Sequence, residues 1–215
     1  MRITRPAVCF ALAASLVGAG VANAAVKKPV VKPVCNLVKD DKGDGAGLIN
    51  NEDGLDILTG DLSSDAKNVT AVIRLAGPPM GALNPDAPEG AAYYFVFSPP
   101  SAKYPMFLEA SSDVTGTYSY SMGDVEPSPT GGDLYTQKTG AVTGHINGSV
   151  ITMSAPRGVL ASLGDVKPGV KVTGLAVNVF YPVEVPLVGG LLEQADSATG
   201  KSYVAGALSC VKPGS

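Results

Sequence analysis

The stretch GLDILTGDLSSDAKNVTAVIRLAG, residues 54–77, decides the fold class. In its second half Val69, Ala71, Ile73 and Leu75 fall on one face of an extended chain, with Thr70 and Arg74 on the other. Successive side chains of a strand point to opposite faces, so this period of two marks a strand and not a helix. Between the two apolar runs lies the polar SSDAK segment, whose Asp65 suits a turn because a short carboxylate can bond the backbone just ahead of it. The stretch predicts two strands, about 55–62 and 68–76, joined by a loop at 63–67.

The same period recurs along the chain. AYYFVFS (92–98) puts Tyr93, Phe95 and Phe97 on one face and Tyr94 and Val96 on the other. YPMFLEA (104–110) and GTYSYSM (116–122) read as two further strands, with Tyr118, Tyr120 and Met122 sharing a face. In AVTGHI–NG–SVITMS the pair Asn147-Gly148 predicts a hairpin with a two-residue type I′ turn. VKVTGLAVNVF (170–180) changes apolar parity at Gly174, the mark of a bulge that re-aims a strand. SYVAGAL (202–208) closes the chain, and PRGVLASLG (156–164) is the one segment that reads as a helical turn. Short strands separated by turn signals predict an all-β fold, an antiparallel β-sandwich or jelly roll of about 8–10 strands.

The first residues have a different character. Arg2 and Arg5, the apolar run FALAASLVGAGVA and the small-x-small triplet Ala22-Asn23-Ala24 read as a secretory signal peptide over residues 1–24, cleaved after Ala24. No later run approaches the length of a membrane-spanning helix, so no membrane span is expected. AVKKPVVKPV (25–34) is a Lys/Pro-rich leader that favours an extended conformation. Residues 35–213 then form a single domain, of a length that buries one good core. Secretion changes how the cysteines read. Cys35 and Cys210 are the two left after cleavage, and an oxidising compartment favours a disulfide between them over two separate buried thiols. Such a bridge stabilises by about 5 kcal/mol in the chain-entropy model and needs the two termini to be neighbours.

Past the signal the chain carries 14 Lys and Arg (16 less Arg2 and Arg5) against 19 Asp and Glu, a formal charge of −5. This balance argues against nucleic acid or anionic lipid as a partner. Eight of the 19 acidic residues lie between Asp40 and Asp65, so the charge is local. DDKGDGAG and NNEDGLD gather Asp41, Asp44, Asp53 and Asp56 with Asp40, Asn50, Asn51 and Glu52 among glycines. Calcium takes six to eight oxygens in flexible geometry, so these are the candidate metal ligands and calcium the one cofactor they suggest. No EF-hand register fits, and a solvated acidic loop is the plainer reading.

Nucleophilic catalysis is short of groups. His145 is the single histidine, no G-x-S-x-G elbow occurs, and a triad needs a base placed and oriented beside its nucleophile. The chain reads as non-enzymatic. Tyr118 and Tyr120 are the candidate ligand-binding pair if their face is open, since aromatic rings stack on sugars; the same alternation serves a core strand. VEVPLVGGLL (183–192) is either an exposed apolar patch or a packed strand pair around Gly189-Gly190. The sequons at Asn68 and Asn147 fall on a strand and a turn.

The order Asp-Gly-rich loop, Leu-Asp-Ile strand, Asp-bearing turn and alternating apolar strand, followed by YYFVF and YPMFLEA, resembles exported β-sandwich domains of the DOMON-like and family 9 carbohydrate-binding-like kind. The resemblance spans roughly residues 40–110 and matches Asp44, Asp56 and Asp65 to the acidic positions of that opening. It implies a sandwich of about ten strands, calcium in some members, and binding of sugars or haem. The chain has no Trp, the usual sugar platform, and His145 with Met80, Met106, Met122 or Met153 would be its haem ligands. A glycan or cell-envelope polymer is therefore the expected partner, and a structural or protein-interaction domain with no small-molecule ligand is the alternative.

Overall fold

The computed structural model describes residues 32–45, 52–79, 90–113, 115–138, 140, 142–185 and 189–214, with side chains 183–191 left aside. Residues 1–31, which carry the expected signal peptide and most of the leader, lie outside the described residues, as do Asn50, Asn51 and Met80. Residues 31–215 make one compact unit. Among the described residues twelve strands follow one another as β1 (Val38–Lys39), β2 (Ile57–Ser64), β3 (Asn68–Leu75), β4 (Ala92–Ser98), β5 (Met106–Ser112), β6 (Tyr118–Pro127), β7 (Asp133–Lys138), β8 (Thr143–Asn147), β9 (Val150–Pro156), β10 (Lys171–Val185), β11 (Gly189–Thr199) and β12 (Tyr203–Val204). A four-residue helix α1 (Arg157–Leu160) interrupts them where the helical turn was expected.

The strands form an antiparallel β-sandwich. A five-stranded sheet runs β1-β2-β3-β9-β8, and a seven-stranded sheet runs β11-β10-β4-β5-β6-β7 with β12 against β10. The count exceeds the expected 8–10 because two strands are only two residues long and because DLYTQK forms β7, a strand with little apolar content to announce it.

The opening stretch folds as the predicted hairpin, with Asp61 opposite Val72 and Ser64 opposite Val69. Asp65 accepts from the backbone N–H groups of Lys67 (2.6 Å) and Asn68 (2.7 Å), which closes the turn. Val69, Ala71, Ile73 and Leu75 lie between the sheets, facing Tyr93, Phe95 and Phe97 of β4 and Val177 and Val179 of β10 in one core.

Two local features refine the sequence reading. Gly174 has φ +58°, and the β10–β4 register slips between Thr173 and Ala176, so the expected bulge is present. It turns Leu175, Val177 and Val179 into the core. The β8–β9 turn is set one residue later than expected. Asn147 pairs with Val150, and Gly148 alone carries a positive φ, +58°. The loop is thus Gly148-Ser149 with glycine first, the residue order of a type II′ turn. Asn147 keeps a strand conformation because its pairing extends the ladder.

The chain ends meet. Cys35 and Cys210 form a disulfide with their Cα atoms 5.3 Å apart, across a separation of 175 residues. Beside it the Val34 N–H donates to the Leu208 carbonyl at 2.8 Å. No helix among the described residues is long and apolar enough to cross a membrane. Residues 171–185 and 189–199 form the long antiparallel pair β10–β11, so the backbone of 183–185 and 189–192 is strand, and residues 186–188 lie outside the described residues.

Candidate functional site

Alternation along β4, β5, β6, β7 and β10 places a second set of side chains on the outer face of the seven-stranded sheet. Tyr94, Phe107, Val96 and Val125 are buried there, with Tyr135, Ala176 and Phe180 packed against them. Tyr94 and Tyr135 meet at a ring-centroid distance of 4.5 Å, and Phe180 lies 5.4 Å from Tyr135 and 5.7 Å from Tyr94. Phe107 stands edge-on to Tyr94 at 5.2 Å. Tilted and edge-to-face rings at these separations attract one another beyond the area they bury.

Polar side chains surround the rings. The Asn178 amide donates to the Tyr135 hydroxyl at 2.9 Å and accepts from Ser197 at 2.7 Å. The buried Glu109 accepts from the hydroxyl of Tyr94 (3.1 Å), from the amide of Gln137 (2.8 Å) and from the Ser121 hydroxyl. Cross-strand pairing explains the row: Ser197 faces Asn178, Asn178 faces Tyr94, Tyr94 faces Glu109, and Glu109 faces Ser121. Burial first, and then the Glu109 charge, pushes the Tyr94 hydroxyl far above its ordinary range, so it stays a neutral donor. Burial also raises Tyr135, against the opposing hydrogen bond from Asn178. Over this surface opens a cleft of about 690 Å³ lined by Tyr94, Tyr135 and Phe180, by Gln137, Asn178, Gln194 and Ser197, and by Asp133, Leu134 and Leu192 at its rim.

Tyr118 and Tyr120 are placed elsewhere. Both are half-buried and pack against the core between the sheets, and burial raises both hydroxyls. Their shared face is the inner one, which the spacing alone left open. The outer-face rings come instead from strands far apart in sequence. The signals that point to them are the opposite parity of Tyr94 in β4 and the alternation Asp133, Tyr135, Gln137 in β7.

The acidic residues divide. Asp44 lies with Asp40 and Asp196, each offering one carboxylate oxygen, all within 4.8 Å of one another. Asp56 stands against the same loop, where its Oδ2 accepts from the Gly43 N–H at 2.8 Å. Asp53 pairs instead with Lys42 at 3.2 Å, well exposed. Asp41 is exposed and donates its N–H to Asp40 Oδ1 at 3.1 Å. Burial, then the Asp196 charge, lifts the Asp40 carboxyl to about 6. Burial lifts Asp196 too, while the N–H groups of Ile57 and Ser197 oppose the shift. Asp196 was absent from the sequence reading because it reaches the loop from β11; its bond to the Ile57 N–H spans 139 residues.

His145 is exposed on β8, whereas Met106, Met122 and Met153 are at most 1% exposed in the core. A sulfur ligand to haem would have to leave that core. No protein-family model matches this chain, and no curated protein matches it at a significant level.

Proposed function

We propose that the chain is an exported, non-catalytic module that binds a polyhydroxylated polymer, a glycan or a cell-envelope component, on the outer face of its seven-stranded sheet. The observation that carries this reading is the cleft itself. Its floor is the Tyr94–Tyr135–Phe180 ring cluster and its walls are amides and a hydroxyl from Gln137, Asn178, Gln194 and Ser197. Ring faces take the C–H surface of a sugar, and planar amides take its hydroxyls in pairs. Asn178 and Glu109 are already held by neighbours, so the polar groups are fixed before a ligand arrives. Export is supported by residues 1–24 and by the Cys35–Cys210 bridge. The non-catalytic reading is supported by the position of the single histidine, exposed on β8 in the other sheet.

A protein partner is the second reading, favoured by Leu134 (50% exposed) and Leu192 (66% exposed) at the rim. The chain has no Trp and 8 Tyr, so the emission of Tyr94 and Tyr135 is read among tyrosines alone, with no Trp background. Titration with soluble cello-, chito- and xylo-oligosaccharides and peptidoglycan fragments should quench it saturably for at least one of them. A flat signal for all, with capture of an envelope protein that Leu134→Ser and Leu192→Ser abolish, would move the reading to a protein partner.

A further inference from the structure

We propose that the cleft on the seven-stranded sheet is built for an uncharged glycan, and that Glu109 beneath it and Asp133 at its rim turn anionic polymers away. The proposal rests on the glycan reading and deepens it by naming the class of glycan.

Glu109 sets which hydrogen-bonding atoms the cleft presents. A carboxylate accepts hydrogen bonds and does not donate them. Glu109 takes one from the Tyr94 hydroxyl at 3.1 Å, one from the Gln137 amide at 2.8 Å and one from the Ser121 hydroxyl. The nitrogen of Gln137 is therefore the end turned to Glu109, which leaves its carbonyl oxygen for a ligand in the cleft that Gln137 lines. Without Glu109 that planar amide has nothing to choose between its two ends.

The far wall is ordered in the same way. Ser197 donates its proton to Asn178 Oδ1 at 2.7 Å, so its lone pairs are what it offers. Asn178 Nδ2 donates to the Tyr135 hydroxyl at 2.9 Å, so that hydroxyl has its own proton to give. A ligand thus meets acceptors at Gln137 and Ser197 and a donor at Tyr135. A sugar hydroxyl both donates and accepts, whereas an ionised carboxylate or phosphate only accepts. The anionic group satisfies one side of this cleft and fails the other.

Charge acts in the same direction. Glu109 is 2% exposed, and none of the ion pairs among the described residues reaches it. Asp133 stands exposed at the rim. Among the described residues no Lys or Arg lines the cleft. Lys138, beside Gln137 in β7, is taken up by Asp124 at 3.3 Å and Glu126 at 3.5 Å. An anionic chain would lie over two carboxylates with no counter-charge, and like charges brought together at an interface reject a partner.

The test is retention of the purified chain on matched matrices: cellulose and chitin beside their C6-carboxylated forms, and plain xylan beside glucuronoxylan. The wild type should bind a neutral form at least about tenfold more tightly than its acidic counterpart. Asp133→Asn, at an exposed position, should fold normally and narrow that preference about threefold, since one like charge is gone. Glu109→Gln should narrow it further, and the ratio of neutral to acidic binding is the readout. A merely structural Glu109 would weaken both forms in proportion. An unchanged ratio in Asp133→Asn and in any folded Glu109→Gln protein would overturn the proposal. Wild-type binding as tight to acidic as to neutral forms would overturn it and leave the glycan reading standing. Absence of binding to every matrix would overturn both.

Discussion

The two sheets treat their outer faces in opposite ways. Over β2 and β3 the five-stranded sheet presents Asp61, Ser63 and Thr70, each buried. The chain ends bond two of them, Asp61 and Thr70. The Leu37 N–H donates to Asp61 Oδ1 at 3.3 Å, and the Gly214 N–H donates to Thr70 Oγ1 at 2.8 Å. Over β4, β7 and β10 the seven-stranded sheet presents rings and amides that remain partly open as a cleft. Polar residues on a sheet face therefore do not identify a binding surface. On the covered face Asp61 and Thr70 anchor the termini, and on the open face the proposed role of the amides is to meet a ligand.

This contrast can be broken most severely at the chain ends. Replacing Cys35 and Cys210 together by Ser releases the segments that bond Asp61 and Thr70, and should cost about 2–5 kcal/mol in denaturant unfolding. Next comes Arg74→Met. Arg74 meets Asp61 at 2.7 Å, and the Asp61 side chain is 1% exposed against 34% for Arg74. Stranding that carboxylate should cost about 2 kcal/mol, less than for a fully buried pair because the arginine is partly in water. On the open face Tyr135→Ala should cost only about 1–2 kcal/mol of stability, yet remove most of the binding. A Tyr135→Ala protein that binds normally would erase the distinction between the faces.

Two smaller effects sharpen the comparison. Asp65→Ala removes the carboxylate that accepts two backbone N–H groups at the hairpin turn. It should cost about 1 kcal/mol in urea unfolding and leave ligand binding untouched. Asp40, raised from 3.8 to about 6 by burial, then by Asp196, Asp44 and Asp41 against one backbone N–H, holds its proton more tightly folded than unfolded. That stabilisation is complete below pH 3.8 and is lost as pH rises through about 6. The wild type should lose stability relative to Asp40→Asn as pH rises across this window. Parallel pH–stability curves for the two would contradict the shift.

How much of this was legible in the sequence follows from which physics acts locally. The hairpin at 57–75 was legible because alternation and the Asp65 turn are written within two dozen residues. The bulge at Gly174 was legible for the same reason. Alternation also separated Tyr93, Phe95 and Phe97 from Tyr94 and Val96, but it cannot say which side a second sheet will cover. Tyr118 and Tyr120 therefore stood as ligand candidates although their face packs inward. The acidic group was half legible: Asp44 comes together with Asp40, while Asp196 depends on a strand pairing that no local pattern encodes. The Asn147-Gly148 turn slipped by one residue because the ladder gains a pair at Asn147↔Val150, which outweighs the local turn preference.

The most direct test of the account is retention of the purified chain on insoluble polysaccharides and purified cell envelopes, with wild type compared against the Tyr135→Ala, Phe180→Ala double variant at a temperature where both are folded. The account expects the wild type to be retained on at least one matrix and the double variant to pass through. Equal retention of the two, or no retention of the wild type on any matrix, would contradict a binding site on the outer face of the seven-stranded sheet.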